Sequence, residues 1–452
     1  MTLRPYQEKM VADIRQHWMA GTHRVLATAP TGAGKTHIIA HATKEALARG
    51  RKVGIVVHRR ELLRQAVQAV TNYGVSPTAP GLFIGTIQGL RRRPIEPLDM
   101  LVVDEAHLAL ARTWTEFVAA QGGAYVIGLT ATPYRLDGRG LDELFGALVV
   151  GPSVRDLVAQ GQLVPARTFA PDVPDMSGVQ TTAGDWDRDG VAQQMMRPQI
   201  VGSIVEHYRR LAAGRQTLCF GTTIEHSKML CESFRAAGVL AEHIDGTMPT
   251  KKRDEIVSAF RAGIGEILTS CNVLSEGLDV PQIGCIILAR PTQSEVIYRQ
   301  QIGRGSRACE GKDDLIILDH AGNALRHGLY ADEKHFTLEG TRNSAKQRQA
   351  PTDSVRQCLS CYGVYESSEP RCPYCGIAPP VKQRRTREIA GQLVELTESG
   401  KLEAGWYKNV MRSIWRSPRP EWGGRLKAFA SEMGYKPTWI DRQIAMHVQR
   451  PS

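Results

Sequence analysis

Unbroken apolar runs of strand length recur along the chain: Arg24 to Thr28, Val53 to Val57, Leu101 to Val103 and Val126 to Leu129, then Leu218 to Phe220, Ile267 to Thr269, Cys285 to Ala289 and Leu315 to Leu318. Runs that do not alternate suit strands buried on both faces of a parallel sheet. Amphipathic stretches between them, such as Arg60 to Val70 and Ser227 to Ala237, predict helices. The pattern is therefore α/β, and it is presented twice. Between the two sets lies a polar stretch from Asp172 to Gly190, and the domain junction is placed near Gly151. The expected organisation is a parallel-sheet domain over 1–150, a second over 151–338, a polar linker over 339–354, a cysteine-rich module over 355–380 and a basic, Trp-rich helical module over 381–452.

Composition adds a partner to this picture. The formal charge of +11 and pI near 9.3 favour a polyanion, because clustered Lys and Arg bind phosphate backbones by releasing counterions. Much of the excess sits in residues 381–452, with 14 Lys plus Arg against 7 Asp plus Glu. Nowhere do 18 apolar residues run together, so no membrane partner and a cytoplasmic location are expected. Cys219, Cys231, Cys271, Cys285 and Cys309 are scattered, several in apolar runs, and read as reduced core residues.

Candidate chemistry begins directly after the first strand, where Ala29 to Thr36 reads APTGAGKT. In such a loop the backbone N–H groups of Thr31, Gly32, Ala33 and Gly34 can close around phosphates. Lys35 can reach the β and γ phosphates of ATP, and Thr36 can ligate Mg2+. The first position is Ala29 where the usual pattern has Gly. A second element, LVVDEAH from Leu101 to His107, is an apolar strand ending in two acids. Asp104 there can hold magnesium and Glu105 can orient the attacking water.

Together these stretches resemble the superfamily 2 helicases of DEAH type, and further segments match that family's motifs in order. LRPYQ at Leu3 to Gln7 resembles the adenine-reading segment, which implies Gln7 at the base and Arg4 in support. HRRELLRQ at His58 to Gln65 and GTIQ at Gly85 to Gln88 resemble strand-contacting segments, so Arg59, Thr86 and Gln88 are implied nucleic-acid contacts, with Thr269 from the second half. LTATP at Leu129 to Pro133 resembles the link between ATP state and strand binding. SCNVLSEGLDVP at Ser270 to Pro281 implies Gly277 and Asp279 at the cleft. YRQQIGRGSR at Tyr298 to Arg307 implies that Gln300, Arg304 and Arg307 complete the ATP site, with His107 among the catalytic set. The resemblance implies two RecA-like domains that close on ATP and step along a strand. Within the family it is nearest to bacterial and phage helicases of the RadD DNA-repair type, on FGTTIEHSKML, ARPTQSEVIYRQQIGRGSR and ILDHAGN. The expected partner is DNA, single-stranded or forked, with single-strand-binding or recombination proteins as protein partners. Between Pro281 and Gln300 there is no room for the long hairpin that some DEAH helicases use to split duplexes. A wedge is expected instead in 166–200 or in the tail, unless the protein translocates without unzipping.

Cys358, Cys361, Cys372 and Cys375 form CLSC and CPYC, which is spacing for tetrahedral Zn2+ in a structural site; disulfides are the alternative. Gly363 and Gly376 are expected to permit the tight turns, and Cys372→Ser to release zinc while leaving the ATPase core folded. In the tail, Trp406, Trp415, Trp422 and Trp439 with Tyr407 and Tyr435 fit equally a base-stacking surface or a small helical core. Three other functions stay open: an RNA remodeller or duplex translocase, the motor of a restriction or defence complex, and a zinc-ribbon binding protein with an inactive ATPase fold.

Overall fold

The structure is a computed structural model that describes residues 2–58, 60–90, 96–108, 112–135, 138–171, 174–182, 185–271, 278, 280–340, 354–380, 404–432 and 438–448. The chain divides into two units, Met1–Pro380 and Val381–Ser452.

The first unit opens with a six-stranded sheet made of β1 (Arg24–Thr28), β2 (Val53–Val57), β3 (Leu82–Thr86), β4 (Met100–Asp104), β5 (Tyr125–Thr130) and β6 (Ala147–Val150), ordered β3-β2-β4-β5-β1-β6. All pairings are parallel. The four central strands are the apolar runs read from the sequence, and nearly every residue in them is buried. The two edge strands, β3 and β6, were not legible in that way. Each leaves residues partly open to water, so selection for an unbroken apolar run is relaxed there.

Eight further strands and one short hairpin follow. These are β7 (Ala166–Phe169), the hairpin of β8 (Thr181–Thr182) and β9 (Asp185–Trp186), then β10 (Thr217–Phe220), β11 (Ala241–Ile244), β12 (Ile267–Ser270), β13 (Cys285–Leu288), β14 (Leu315–Asp319), β15 (Val355–Gln357) and β16 (Gly363–Glu366). The second sheet runs β11-β12-β10-β13-β14-β7-β16-β15, parallel as far as β7 and antiparallel beyond it. One apolar cluster includes Ala29 and Ala33 from the first half with Leu163, Leu278, Ile302 and Tyr330 from the second, so the two halves share a core.

The cysteine-rich module is built onto the second sheet. Its strand β16 pairs with β7 through Gly363↔Phe169 and Val364↔Thr168, the Ala170 amide donates to the Tyr362 carbonyl at 2.9 Å, and the rings of Phe169 and Tyr374 lie 5.2 Å apart. An ion pair of Arg155 with Glu366 adds to the seam. The segment before it also returns to the first sheet domain, because Leu141 donates to the Leu338 carbonyl at 2.7 Å. The region expected to hold a wedge supplies β7, the β8–β9 hairpin and the helix Arg188–Met195. That hairpin is tied down by Asp185, which accepts from the Thr292 hydroxyl at 2.8 Å and the Gln293 amide at 2.7 Å.

The second unit contains the helices Ala404–Arg416, Trp422–Glu432 and Thr438–Val448 around Met411, Ile414, Leu426 and Phe429. Trp415, Trp422 and Trp439 are half-buried; Trp415 and Trp439 pack on that core, and Trp422 meets Trp415 edge-on at 5.0 Å. These three tryptophans therefore serve a helical core, while the side chains of Trp406 and Tyr407, and Tyr435, lie outside the described residues.

The shared seam changes what Cys372→Ser should do. Because β16 covers the edge of β7, losing a ligand thiolate should lower the melting temperature of the motor unit itself by several degrees, roughly the effect of 1–3 kcal/mol in a domain of this size. Melting followed by core tryptophan fluorescence checks this; an unmoved core transition would show the module to be independent.

Candidate nucleotide cleft and cysteine cluster

Strands β4, β5 and β1 are neighbours in parallel register, with Asp104 opposite Leu129 and Thr28 opposite Thr130. Their C-terminal ends therefore deliver the phosphate loop, the acidic pair and the LTATP segment to one edge, where open α/β sheets bind ligands. The loop leaves β1 and ends at Lys35, the first residue of the helix Lys35–Ala48. Gly32 and Gly34 take φ values of 91° and 73°, which side chains rarely adopt, so backbone amides can turn inward. Lys35 Nζ donates to the Ala29 carbonyl at 3.0 Å. Gln7 and Tyr6 brace the loop from behind: the Gln7 amide reaches the carbonyls of Ala33 and Gly34, each at 3.2 Å, and the Tyr6 hydroxyl reaches Ala33 at 2.8 Å.

The second half faces this edge with the helix Glu295–Gly303 and the loop after it. A Cβ on Gly303 would sit 2.4 Å from the Thr31 Cβ, so only glycine allows this approach. Arg304 and Arg307 line a cleft of about 840 Å3 together with Arg4, Thr31, Lys35, Thr36, Asp104 and Glu105. His107 joins the halves. Its Nδ1 lies 3.0 Å from the Thr130 hydroxyl and its Nε2 lies 3.5 Å from the Gln300 amide nitrogen. Burial lowers its pKa, and the neutral ring with hydrogen on Nδ1 satisfies both neighbours.

Charge is stored in this cleft without full compensation. Burial, followed by the nearby Glu105, raises the pKa of Asp104 despite Lys35. Burial lowers that of Lys35 against the pull of Glu105 and Asp104. Glu105 adopts φ 50°, a left-handed conformation that costs a non-glycine residue roughly 1–2 kcal/mol, and its buried Oε2 makes no hydrogen bond, the His107 Nδ1 standing 3.4 Å away. A strained carboxylate with a weakly partnered oxygen beside a second, half-buried acid is a donor set that suits a hard divalent cation.

Not every expected residue is placed by the structure. Arg59, Gly277 and Asp279 lie outside the described residues. Gln88 is exposed, and Thr86 is half-buried with its hydroxyl 3.3 Å from the Gly89 amide. Thr269, implied as a strand contact, is instead fully buried and donates to the Ser227 carbonyl at 2.9 Å, so it offers no surface here.

In the cysteine cluster the four Sγ atoms of Cys358, Cys361, Cys372 and Cys375 lie within 4.8 Å of one another. A tetrahedral ion with metal–sulfur bonds of about 2.3 Å needs sulfur separations of about 3.8 Å, so the set fits. Gly376 makes its tight turn at φ 74°, but in the first pair that role falls to Tyr362 at φ 62°. Gly363 is needed for a different reason, since a Cβ there would meet the Tyr374 ring at 2.2 Å.

One network across the two sheet domains left little trace in the sequence. Tyr134, just beyond LTATP, donates to Glu295 Oε2 at 2.9 Å, and Arg299 and Lys334 approach Glu295 Oε1 at 2.8 Å and 3.4 Å. Burial alone would raise the pKa of Glu295, but Arg299, Lys334 and the hydrogen bonds from Arg299 and Tyr134 hold it at about 2. Its only signal in sequence was an acid four residues before an arginine on a helix.

Two RecA-like parallel-sheet domains, with a phosphate loop on one and paired arginines from the other, define a nucleotide-driven motor of the helicase and translocase class. Comparison with known proteins agrees. The family described as helicase conserved C-terminal domain matches residues 199–309, and the type III restriction enzyme res subunit family matches residues 1–95. A 51.5 kDa protein of a Lactococcus phage is 27% identical over 83% of this chain and 82% of its own. A Saccharomyces cerevisiae protein that bears the name of an ATP-dependent helicase is 27% identical over 71% of this chain and 51% of its own, so the chain spans about half of that relative. Among solved structures, a fragment of an HsdR subunit of a type I restriction enzyme from Vibrio vulnificus shares the fold with TM-score 0.58 at 20% identity, over 72% of this chain and 65% of that one. Together with the order of the motifs, these matches support a superfamily 2 helicase. Among the described residues no helix is long and apolar enough to cross a membrane.

Two outcomes follow from the interface. Because the Glu295 pKa is lowered, its contribution is complete above about pH 4.5 and is lost as pH falls toward about 2. Tyr134→Phe should therefore cost about 1–2 kcal/mol at neutral pH, with a gap that narrows in acid, read by denaturant unfolding across pH. Gly303→Ala should slow ATP turnover by roughly tenfold to a hundredfold in steady-state assays, through displacement of the arginine loop from Thr31.

Proposed function

We propose that the protein is an ATP-dependent DNA translocase or helicase in which hydrolysis depends on closure of the two sheet domains. The observation that carries this is the cleft where Lys35, Asp104 and Glu105 meet Arg304 and Arg307 from the opposite domain. In this reading the loop amides from Thr31 to Gly34 cradle the phosphates, Lys35 neutralises the β and γ groups, and Gln7 and Arg4 border the adenine. Asp104 and Thr36 would hold a magnesium ion, which supplies charge neutralisation on the phosphates. Glu105 orients the water and accepts its proton, while Arg304 and Arg307 stabilise charge that grows on the γ phosphate. His107 and Gln300 report that state to Thr130, and Gly277 and Asp279 are assigned to the same cleft.

The basic balance favours a nucleic acid, and the resemblance to RadD-type repair helicases favours DNA as the strand. Arg59, Thr86 and Gln88 are proposed as backbone contacts. The cysteine module is proposed to hold zinc as a structural ion, and single-strand-binding or recombination proteins are the proposed protein partners.

Lys35→Ala and Glu105→Gln should each reduce ATP turnover by roughly a hundredfold or more while DNA binding persists, since both remove stabilisation used in the transition state. ATP turnover with single-stranded DNA, duplex DNA and RNA, together with strand displacement on forked substrates, tests the substrate. Stimulation by RNA alone would sink the DNA reading, and duplex-stimulated turnover without displacement would make the protein a translocase.

A further inference from the structure

The loop that carries Arg304 and Arg307 leaves its helix at Gly303 and belongs to no sheet ladder, so its carbonyls need other donors. One side chain supplies them. Lys312 Nζ donates to the carbonyls of Gly305 at 2.6 Å, Arg307 at 2.8 Å and Pro281 at 2.9 Å. An ammonium has three N–H groups, and here each has a main-chain partner. Two of those partners lie in the arginine loop itself. The third, Pro281, belongs to another second-domain segment that borders the nucleotide cleft.

The stem of Lys312 is itself fastened to the sheet. Two residues on, Asp314 accepts from Arg215 at 2.5 Å and from Arg167 at 2.6 Å, and these arginines lie next to β10 and within β7. On the opposite side of the arginine loop the Val164 amide donates to the Ser306 carbonyl at 2.9 Å. Leu163, which bridges to Arg307, comes within 2.9 Å of where a Cβ on Gly32 would stand. The loop is thus seated against the phosphate loop from one side and held from the other. Burial, with Arg307 and Arg215 close by, pulls the Lys312 ammonium down to about 8, so the charge is kept in unfavourable surroundings by its carbonyl bonds.

We propose that Lys312 is a positioning residue for ATP hydrolysis, its ammonium clamping the carbonyls of Gly305, Arg307 and Pro281 so that Arg304 and Arg307 enter the cleft already oriented. This rests on the reading that those arginines complete the ATP site. Lys312 touches no phosphate and acts only through them. Preorganised donors are worth more than donors that must be ordered at the moment of reaction, so releasing the clamp lowers turnover more than binding.

The test is a double-mutant cycle in the full chain, with DNA-stimulated ATP hydrolysis as readout. Lys312→Met keeps the stem and removes three donors. It should lower kcat roughly tenfold, the scale of one or two charge-assisted hydrogen bonds, with KM for ATP within about twofold and melting nearly unchanged. Lys312→Arg, which keeps charge and donors in a planar geometry, should recover part of the loss. Arg307→Ala should lower kcat strongly, and adding Lys312→Met to it should lower kcat by clearly less than tenfold, because only Arg304 is then left to misplace. Wild-type kcat in Lys312→Met, or the same tenfold loss in the Arg307→Ala background, would overturn the clamp while leaving the ATP site intact. An unchanged kcat in Arg307→Ala would instead overturn the reading of the site, and the clamp with it. Lys312→Gln enters the same cycle if Lys312→Met does not fold.

Discussion

The contact between Gly303 and Thr31 is the constraint on which the rest of the motor unit depends. Backbone from one sheet domain lies against the phosphate loop of the other, at a separation that would not accommodate one additional methyl group. Every group that reaches across the cleft is set by that approach, including Arg304, Arg307 and the amide of Gln300 beside His107. The apolar cluster behind it contains residues of both domains, and the Tyr134–Glu295–Arg299 network closes one side with charge. Apolar packing supplies affinity without direction, whereas a buried, hydrogen-bonded carboxylate admits one arrangement only.

A cleft organised in this way holds its charges under tension. Glu105 is buried and Asp104 and Lys35 are half-buried where the strand ends meet the phosphate loop, and Glu105 is held in a strained backbone conformation. Such an arrangement is tolerable because the surrounding sheet over-determines it, and it is useful because a bound polyphosphate with its cation meets dipoles that need no reorganisation. The cysteine module enters the same mechanical frame. Since β16 continues the second sheet past β7, movement of that sheet is movement of the module.

How much of this was legible depended on burial. Central strands such as β2 and β13 are enclosed on both faces and wrote themselves as apolar runs, while the edge strands β3 and β11, and β7 where the cysteine module joins the sheet, mix buried and open positions and left no such trace. The phosphate loop, the acids after β4 and the four cysteines were readable because their chemistry demands fixed residue types at short spacing. Tyr134 with Glu295, Lys312 with Arg307, and the seating of the cysteine module on β7 were not. Each joins positions whose identities are unremarkable alone and whose meeting depends on how whole elements pack. Tyr362 illustrates the same limit at short range, since the turn beside Cys361 falls on it while Gly363 makes room for the ring of Tyr374.

The sequence by itself determined the class of chemistry: a nucleotide loop, paired acids, a second-half segment with paired arginines, and a thiolate set with metal spacing. Those follow from local patterns, because a handful of adjacent residues is enough to specify a loop or a ligand pair. Tertiary structure decided which of those residues face one another, that Thr269 is enclosed, and that the tail tryptophans described here serve a helical core. It also decided that the cysteine module is continuous with the motor's second sheet. The reason is physical: proximity between distant segments is set by the packing of entire sheets and helices, and that energy is spread over many contacts too weak individually to leave a mark in the sequence.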